Sequence, residues 1–101
     1  MTDRSDFIVV DTEGSSELSE ISILDSQGTL IYEAFSEGHP SHQTIRFNLK
    51  PLPDIIQDFI EIARNRPIVC HHANHDIEVL KYSFARAGYT WRDFSFVCTW
   101  E

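Results

Sequence analysis

The stretch from Phe7 to Gly14, which reads Phe-Ile-Val-Val-Asp-Thr-Glu-Gly, decides the fold. Its first four residues are apolar and mostly β-branched, which is typical of a strand that is buried on both faces. Asp11 and Glu13 interrupt this run two positions apart, and residues two apart on a strand point to the same face. Two neighbouring carboxylates repel each other, and a bound divalent cation relieves that repulsion. We therefore expect a central strand that ends in a candidate metal site.

The segments after this strand predict two more antiparallel strands and then alternating helices and strands. Residues 18–24 and 29–35 alternate in polarity, and the Asp-Ser-Gln-Gly sequence between them has turn composition. The remaining predicted elements are a loop over 39–51, a helix opened by Pro53 and ended by Pro67, a strand over 68–71, a helix capped by Asn74 and Gly88, and a strand over 94–98. Right-handed crossovers would place the later strands parallel to the first, which gives a mixed α/β sheet in one domain.

A third acid, Asp76, falls in the first turn of the second predicted helix, shortly after the strand that ends at His71. Ligands collect at the carboxyl ends of strands in α/β sheets, so we expect Asp76 to approach Asp11 and Glu13. Each position also has an ordinary structural explanation. An Asp at a strand end is common in turns, and an Asp in a first helical turn complements the helix dipole.

Four segments resemble, in order and spacing, those of the DEDD (DnaQ-like) 3′–5′ exonucleases, which share the RNase H-like fold. Residues 7–14 are similar to the first motif, and residues 69–80 (Val-Cys-His-His-Ala-Asn-His-Asp-Ile-Glu-Val-Leu) to the second. Residues 19–23 and 96–99 resemble the family's second strand and the strand that follows the second motif. The resemblance implies an RNase H-like mixed sheet and a nuclease that removes nucleoside 5′-monophosphates from the 3′ end of single-stranded DNA or RNA.

The resemblance also implies two divalent ions, Mg²⁺ or Mn²⁺, and a role for each acid. Asp11, Glu13 and Asp76 would be both the catalytic residues and the metal ligands. Asp11 would bridge the ions, Glu13 would bind one of them and help to place the attacking water, and Asp76 would hold the second, directly or through water. The implied substrate-binding residues are Thr12, Gly14, Ser15, His72 and His75. His72 stands where the family usually has Asn, and His75 where it usually has an aromatic residue.

The family's third motif carries a His or Tyr that activates the water and a further Asp, and nothing in residues 1–101 matches it. We therefore expect a partial, C-terminally truncated exonuclease domain with little or no turnover by itself. It could be a fragment, a protein that another chain completes, or a degenerate relative of the family. Its sheet would have a partly uncovered face, which would favour self-association or binding of a partner chain. The alternative is a non-catalytic RNase H-like module that binds a protein partner or a nucleic-acid end.

The composition limits the other function classes. Eight Lys and Arg against sixteen Asp and Glu give a net charge of −8, which argues against broad binding to a long duplex. The basic residues are scattered and form no linear patch. No apolar run is long enough for a membrane span, and the polar N-terminus does not resemble a signal peptide.

The histidines allow a second hypothesis for a metal site, and the cysteines indicate a cellular compartment. His71, His72 and His75 could be read as a zinc cluster, but no cysteine lies at the short spacing that such sites usually have. Cys70 and Cys98 are expected to be buried free thiols on neighbouring strands. Only these two cysteines occur, so a cytoplasmic, reducing compartment is expected.

Overall fold

The computed structural model describes residues 6–37 and 48–98 of the 101-residue chain. These residues form a six-stranded mixed sheet and two helices, so the predicted α/β class is confirmed. The elements in chain order are β1 (Ile8–Glu13), β2 (Glu20–Leu24), β3 (Leu30–Ser36), β4 (Leu49–Lys50), α1 (Leu52–Ala63), β5 (Ile68–Cys70), α2 (Ala73–Ala87) and β6 (Phe96–Cys98). No helix of the described part is both long and apolar enough to cross a membrane.

Strand β1 lies inside the sheet, whose order is β4-β3-β2-β1-β5-β6. It pairs antiparallel with β2 on one side and parallel with β5 on the other. Strands β2 and β3 continue the antiparallel part, and β5 and β6 continue the parallel part. Helices α1 and α2 are the crossovers that return the chain to β5 and β6, which explains why these strands run parallel to β1.

The core lies between the two helices and one face of the sheet. In β1 the side chains of Ile8, Val10 and Thr12 are buried, whereas those of Asp11 and Glu13 are exposed. This alternation shows which face of β1 the helices cover. The helices contribute these buried apolar residues: Ile55, Ile56, Phe59, Ile60, Ala63, Ala73, Val79, Leu80 and Phe84. Burying each of the larger side chains contributes roughly 1.5–3 kcal/mol, so this layer dominates the stability of the fold.

The opposite face of the sheet is covered by neither helix. Val9, Val69 and Val97 are register partners across β1, β5 and β6, and they form an apolar row on this face. Val97 lies on the edge strand and is 48% exposed. Asp11 and Glu13 point to the same uncovered side as this row.

The end of helix α2 was predicted correctly and its beginning was not. Gly88 adopts the left-handed conformation with φ 84°, and its N–H and that of Tyr89 bond to carbonyls of the last turn. The helix begins at Ala73 with His72 as the N-cap residue, so the prediction that Asn74 caps it is wrong. No side chain caps this end, which removes the signal that sequence patterns detect.

Two further differences concern a strand and a thiol. Residues 39–51 were predicted to be a loop, but Leu49 and Lys50 form the short strand β4 beside β3. Two residues are too few to show an alternation of polarity. Cys98 is exposed although it was expected to be buried, because β6 is an edge strand. Predictions for residues 39–47 and 99–101 lie outside the described residues.

A small polar cluster fastens helix α1 to the edge of the sheet. The Tyr32 hydroxyl donates to Asp58 Oδ2 at 2.7 Å, and Lys50 Nζ donates to the same oxygen at 2.8 Å. Desolvation acts to raise the pKa of Asp58, but the two hydrogen bonds outweigh it and lower the pKa below its usual value. Since the carboxylate holds its proton less tightly in the folded state, the cluster stabilises the fold when Asp58 is ionised.

We expect Asp58→Asn to lower the free energy of unfolding by up to about 1 kcal/mol at pH 7, because the ion pair is partly solvent-exposed. The folded-state pKa is the lower one, so this contribution is present above about pH 4 and is lost as the pH falls through the folded pKa. Urea denaturation of both proteins at pH 7 and at a series of lower pH values measures the difference, which should shrink as the pH falls through the lowered folded-state pKa of Asp58. Glu61→Gln, which breaks the exposed pair with Arg64, is the control and should change stability less.

Candidate functional site

The carboxylates of Asp11 and Glu13 are exposed at the end of the central strand. Across the β1–β2 ladder, Asp11 faces Ser22 and Glu13 faces Glu20. Like charges directly opposite each other destabilise an antiparallel pair, so Glu20 adds to the repulsion at this point. Exposed carboxylates are the donors that hard cations such as Mg²⁺ and Mn²⁺ prefer. The pair is therefore chemically suited to a divalent ion.

Thr12, which lies between the two acids, connects β1 to helix α2. Its hydroxyl Oγ1 donates to Asp76 Oδ1 at 2.5 Å, and its backbone N–H donates to the same oxygen at 3.3 Å. Thr12 is 3% exposed and Asp76 is 2% exposed. A carboxylate that is removed from water is destabilising unless it is hydrogen-bonded. Asp76 thus fixes the start of α2 against the central strand.

The Cys70 thiol, at the end of β5, is the third member of this buried cluster. It is hydrogen-bonded to the Asp76 carboxylate. Burial, together with the charge of and hydrogen bond to Asp76, raises the pKa of Cys70 far above its usual value. A neutral buried thiol is a poor nucleophile, so Cys70 serves packing and hydrogen bonding rather than covalent chemistry.

A tight turn follows β1 and depends on Gly14. This residue has φ +143°, and a Cβ atom there would clash with the carbonyl oxygen of Glu17. The Glu13 carbonyl accepts hydrogen bonds from Ser19 N at 2.8 Å and from Ser19 Oγ at 3.1 Å. Only glycine fits such a close approach with positive φ. Gly14 therefore has a structural role in addition to the substrate contact that the resemblance implies.

The turn is also tied to helix α2. The backbone N–H of Leu18 donates to Ser83 Oγ at 2.8 Å, and both residues are buried. Together with the Thr12–Asp76 bonds, this contact attaches both the end of β1 and the turn after it to one helix. The position of the exposed acids is thereby fixed by buried contacts on the other side of the sheet.

The structure joins Asp76 to Thr12, and not to the Asp11–Glu13 pair. Asp76 reaches β1 from the side that the helices cover, whereas the two acids point to the opposite side. Within residues 6–37 and 48–98, no group of three or more His, Cys, Asp or Glu side chains is placed to hold a metal ion. In the described residues Asp76 therefore lies on the other side of β1 from the exposed pair.

The other predicted substrate-binding residues lie beside the carboxyl ends of β1 and β5. Ser15 is exposed in the turn after β1, His72 is the exposed N-cap residue of α2, and His75 is exposed in the first turn of that helix. The side chain of Thr12 is instead occupied by Asp76. Sequence reasoning missed Glu20, which the alternation of β2 places opposite Glu13, and Ser83, which has no motif around it.

No protein-family model matches the chain, and no curated protein matches it. Its function is therefore inferred from its own residues and from the motif resemblance. An exposed pair of carboxylates lies at the carboxyl end of β1. Buried hydrogen bonds to helix α2 hold this strand in place.

We expect Thr12→Val to lower the free energy of unfolding by about 1–3 kcal/mol, because it leaves the buried Asp76 carboxylate without its hydroxyl donor. Urea denaturation measures the change. Thr29→Val, the same substitution at an exposed site, is the control and should have little effect. Equal stability of Thr12→Val and the unchanged protein would contradict the role assigned to the Thr12–Asp76 bond.

We also expect Gly14→Ala to be more destabilising than Gly28→Ala. Both glycines have positive φ, which by itself disfavours alanine by roughly 1–3 kcal/mol. Nothing lies within 4 Å of the Cβ position at Gly28, whereas the Cβ at Gly14 would meet the Glu17 carbonyl. Thermal unfolding of the two variants separates the clash from the conformational penalty, and equal losses would show that the close approach is unimportant.

Proposed function

We propose that this chain carries part of a metal-dependent 3′–5′ exonuclease site, in which Asp11 and Glu13 bind the divalent ions. The observation that supports this most directly is the exposed position of both acids, on one face at the end of the central strand. Structural acids at a strand end are usually engaged in turn contacts. Among the described residues, neither carboxylate of this pair makes a hydrogen bond or an ion pair, while the motif resemblance assigns both to metal.

We propose further that the sheet is RNase H-like. The support is the arrangement around β1, with the antiparallel strands β2 and β3 on one side and the parallel strands β5 and β6 on the other. The two segments that resemble nuclease motifs belong to neighbouring elements of this sheet. The first ends β1, and the second begins in β5 and continues into α2. Motifs far apart in sequence are thus adjacent in space.

Each residue of the proposed site has a distinct part. Asp11 and Glu13 provide hard oxygen ligands, and two bound Mg²⁺ or Mn²⁺ ions would supply Lewis acidity for displacement at phosphorus. Asp76 holds Thr12 through two buried hydrogen bonds and thereby positions the end of β1. Ser15, His72 and His75, which are exposed, would contact the terminal nucleotide.

The net charge of −8 is consistent with a substrate held through its end. A long duplex would require a basic surface, whereas a single-stranded 3′ end can be held by ions that the carboxylates recruit. The proposed substrate is therefore the 3′ end of single-stranded DNA or RNA, and the product is a nucleoside 5′-monophosphate.

The second candidate function is a non-catalytic module that binds a protein chain, including a second copy of itself. It is favoured by the apolar row of Val9, Val69 and Val97 on the uncovered face. An exposed apolar row on a sheet is a common feature of surfaces that pack against another chain. This candidate requires no metal at Asp11 and Glu13.

Two measurements on the full chain separate the candidates. The first follows shortening of 5′-labelled single-stranded DNA and RNA in Mn²⁺ or Mg²⁺. The second follows Mn²⁺-dependent binding of the same oligonucleotides, which does not need a complete set of catalytic groups. Asp11→Asn and Glu13→Gln are compared with Glu33→Gln, which removes the same charge from β3, two strands away from the pair.

The exonuclease proposal predicts metal-dependent binding of the 3′ end, with any cleavage proceeding from that end. Asp11→Asn and Glu13→Gln should abolish both, and Glu33→Gln should leave both unchanged. Absence of metal-dependent binding and of cleavage in the unchanged chain would contradict the proposal and favour the non-catalytic module. An equal loss in all three variants would show a general charge effect and would also contradict it.

A further inference from the structure

A second candidate site lies near the opposite ends of the strands from Asp11 and Glu13. A cavity of about 530 Å³ opens there, between the last turn of α1 and the residues that precede β5 and β6. Its volume is in the range of pockets that hold small organic ligands. Because it is at the amino ends of these parallel strands, it shares no residue with the proposed metal site.

Basic side chains gather around this cavity in an otherwise acidic chain. Arg64, Arg66 and Arg92 line it, together with the acids Glu61 and Asp93. These three arginines against two acids give a local charge of +1, whereas the whole chain has −8. The cavity is thus a basic region that is formed by two separate loops. Its charge favours an anionic ligand.

Two of the arginines are available to such a ligand. Arg64 is 3.6 Å from the Glu61 carboxylate. Arg66 and Arg92 have no ion-pair partner among the described residues. A guanidinium group presents several N–H donors in one plane and binds phosphate oxygens in pairs.

The backbone holds these two arginines in short turns. Arg66 N donates to the Ala63 carbonyl at 3.1 Å, and the preceding Asn65 has φ 57°. On the other loop, the Arg92 carbonyl accepts a hydrogen bond from Phe94 N at 3.0 Å. These bonds restrain the backbone at both arginines, which reduces the ordering of the main chain that a ligand must impose.

Aromatic residues form another part of the wall. Phe94 and Tyr89 both line the cavity and both are half-buried. Phe94 is anchored on Phe59, with ring centroids 5.3 Å apart, and the Tyr89 hydroxyl donates to Gln57 Oε1 at 3.0 Å. Their positions are fixed by these contacts. Fixed aromatic rings favour a ligand that is itself flat and partly apolar.

We propose that this cavity binds a small phosphorylated ligand with a flat ring, of the size of a nucleoside monophosphate. The phosphate lies between Arg66 and Arg92, and the ring lies against Tyr89 and Phe94. The proposal does not depend on the exonuclease function, because it involves neither Asp11 nor Glu13 and requires no metal ion.

The test is a titration of the ¹⁵N-labelled full chain with adenosine 5′-monophosphate, followed by backbone amide shifts. EDTA and constant ionic strength remove any binding through divalent ions. The expected result is saturable shifts centred on residues 64–67 and 92–95. Inorganic phosphate should move the same amides with weaker affinity, and adenosine, which has no phosphate, should leave them unchanged.

Three single substitutions make the test specific. Arg66→Gln and Arg92→Gln should each weaken the affinity about tenfold, which corresponds to loss of a charge-assisted hydrogen bond. Arg86→Gln removes the same charge from the pair with Glu17, away from the cavity, and should not change the affinity. Absence of shifts, shifts centred elsewhere, or equal weakening by all three substitutions would overturn the proposal.

Discussion

Two hydrogen bonds from Thr12 to the Asp76 carboxylate join the central strand to the start of helix α2. They are buried, and the Cys70 thiol contacts the same carboxylate from β5. The strand β1 and the much later elements β5 and α2 therefore meet at one carboxyl group. The position of the carboxyl end of β1 depends on this contact. In the part of the chain that the structure describes, no other buried side chain of β1 hydrogen-bonds to a carboxylate.

The alternation of side chains along β1 separates residues 11–13 into two groups. Thr12 turns inward and serves the fold, while Asp11 and Glu13 turn outward and remain exposed. Gly14 then permits the tight turn that links the strand to the helix through Leu18 and Ser83. Buried contacts on one face thus hold two like charges together on the other. Mutual repulsion of this kind is tolerated when it serves a site that binds a cation.

Much of the fold could be predicted from the sequence, because its main elements have strong periodic patterns. β1 is a continuous apolar run, α1 and α2 have helical spacing, and Gly88 ends α2 as expected. The short strand β4 was not predicted, because two residues are too few to show an alternation of polar and apolar side chains. The first residue of α2 was not predicted correctly, because no side chain caps the helix there. The exposure of Cys98 was not predicted either, because it depends on β6 being an edge strand.

The residues of the two proposed sites were predictable to different degrees. Asp11 and Glu13 could be found because spacing on a strand fixes their common face. The hydrogen bond between Asp76 and Thr12 could not be predicted, because it depends on the side from which α2 packs against β1, which is a property of the tertiary structure. The arginines form no patch in the sequence, and only the packing of α1 beside the loop before β6 brings Arg66 and Arg92 to one cavity.

The most direct measurement of the central claim, that Asp11 and Glu13 form a divalent-ion site, is a titration of the ¹⁵N-labelled chain with Mn²⁺. The paramagnetic ion broadens amide signals near the place where it binds. The account predicts that signals of residues 11–13 and of the facing residues 20–22 broaden first, well before those of residues 64–67. Broadening that begins at another acidic segment, or that is uniform over the chain, would contradict it.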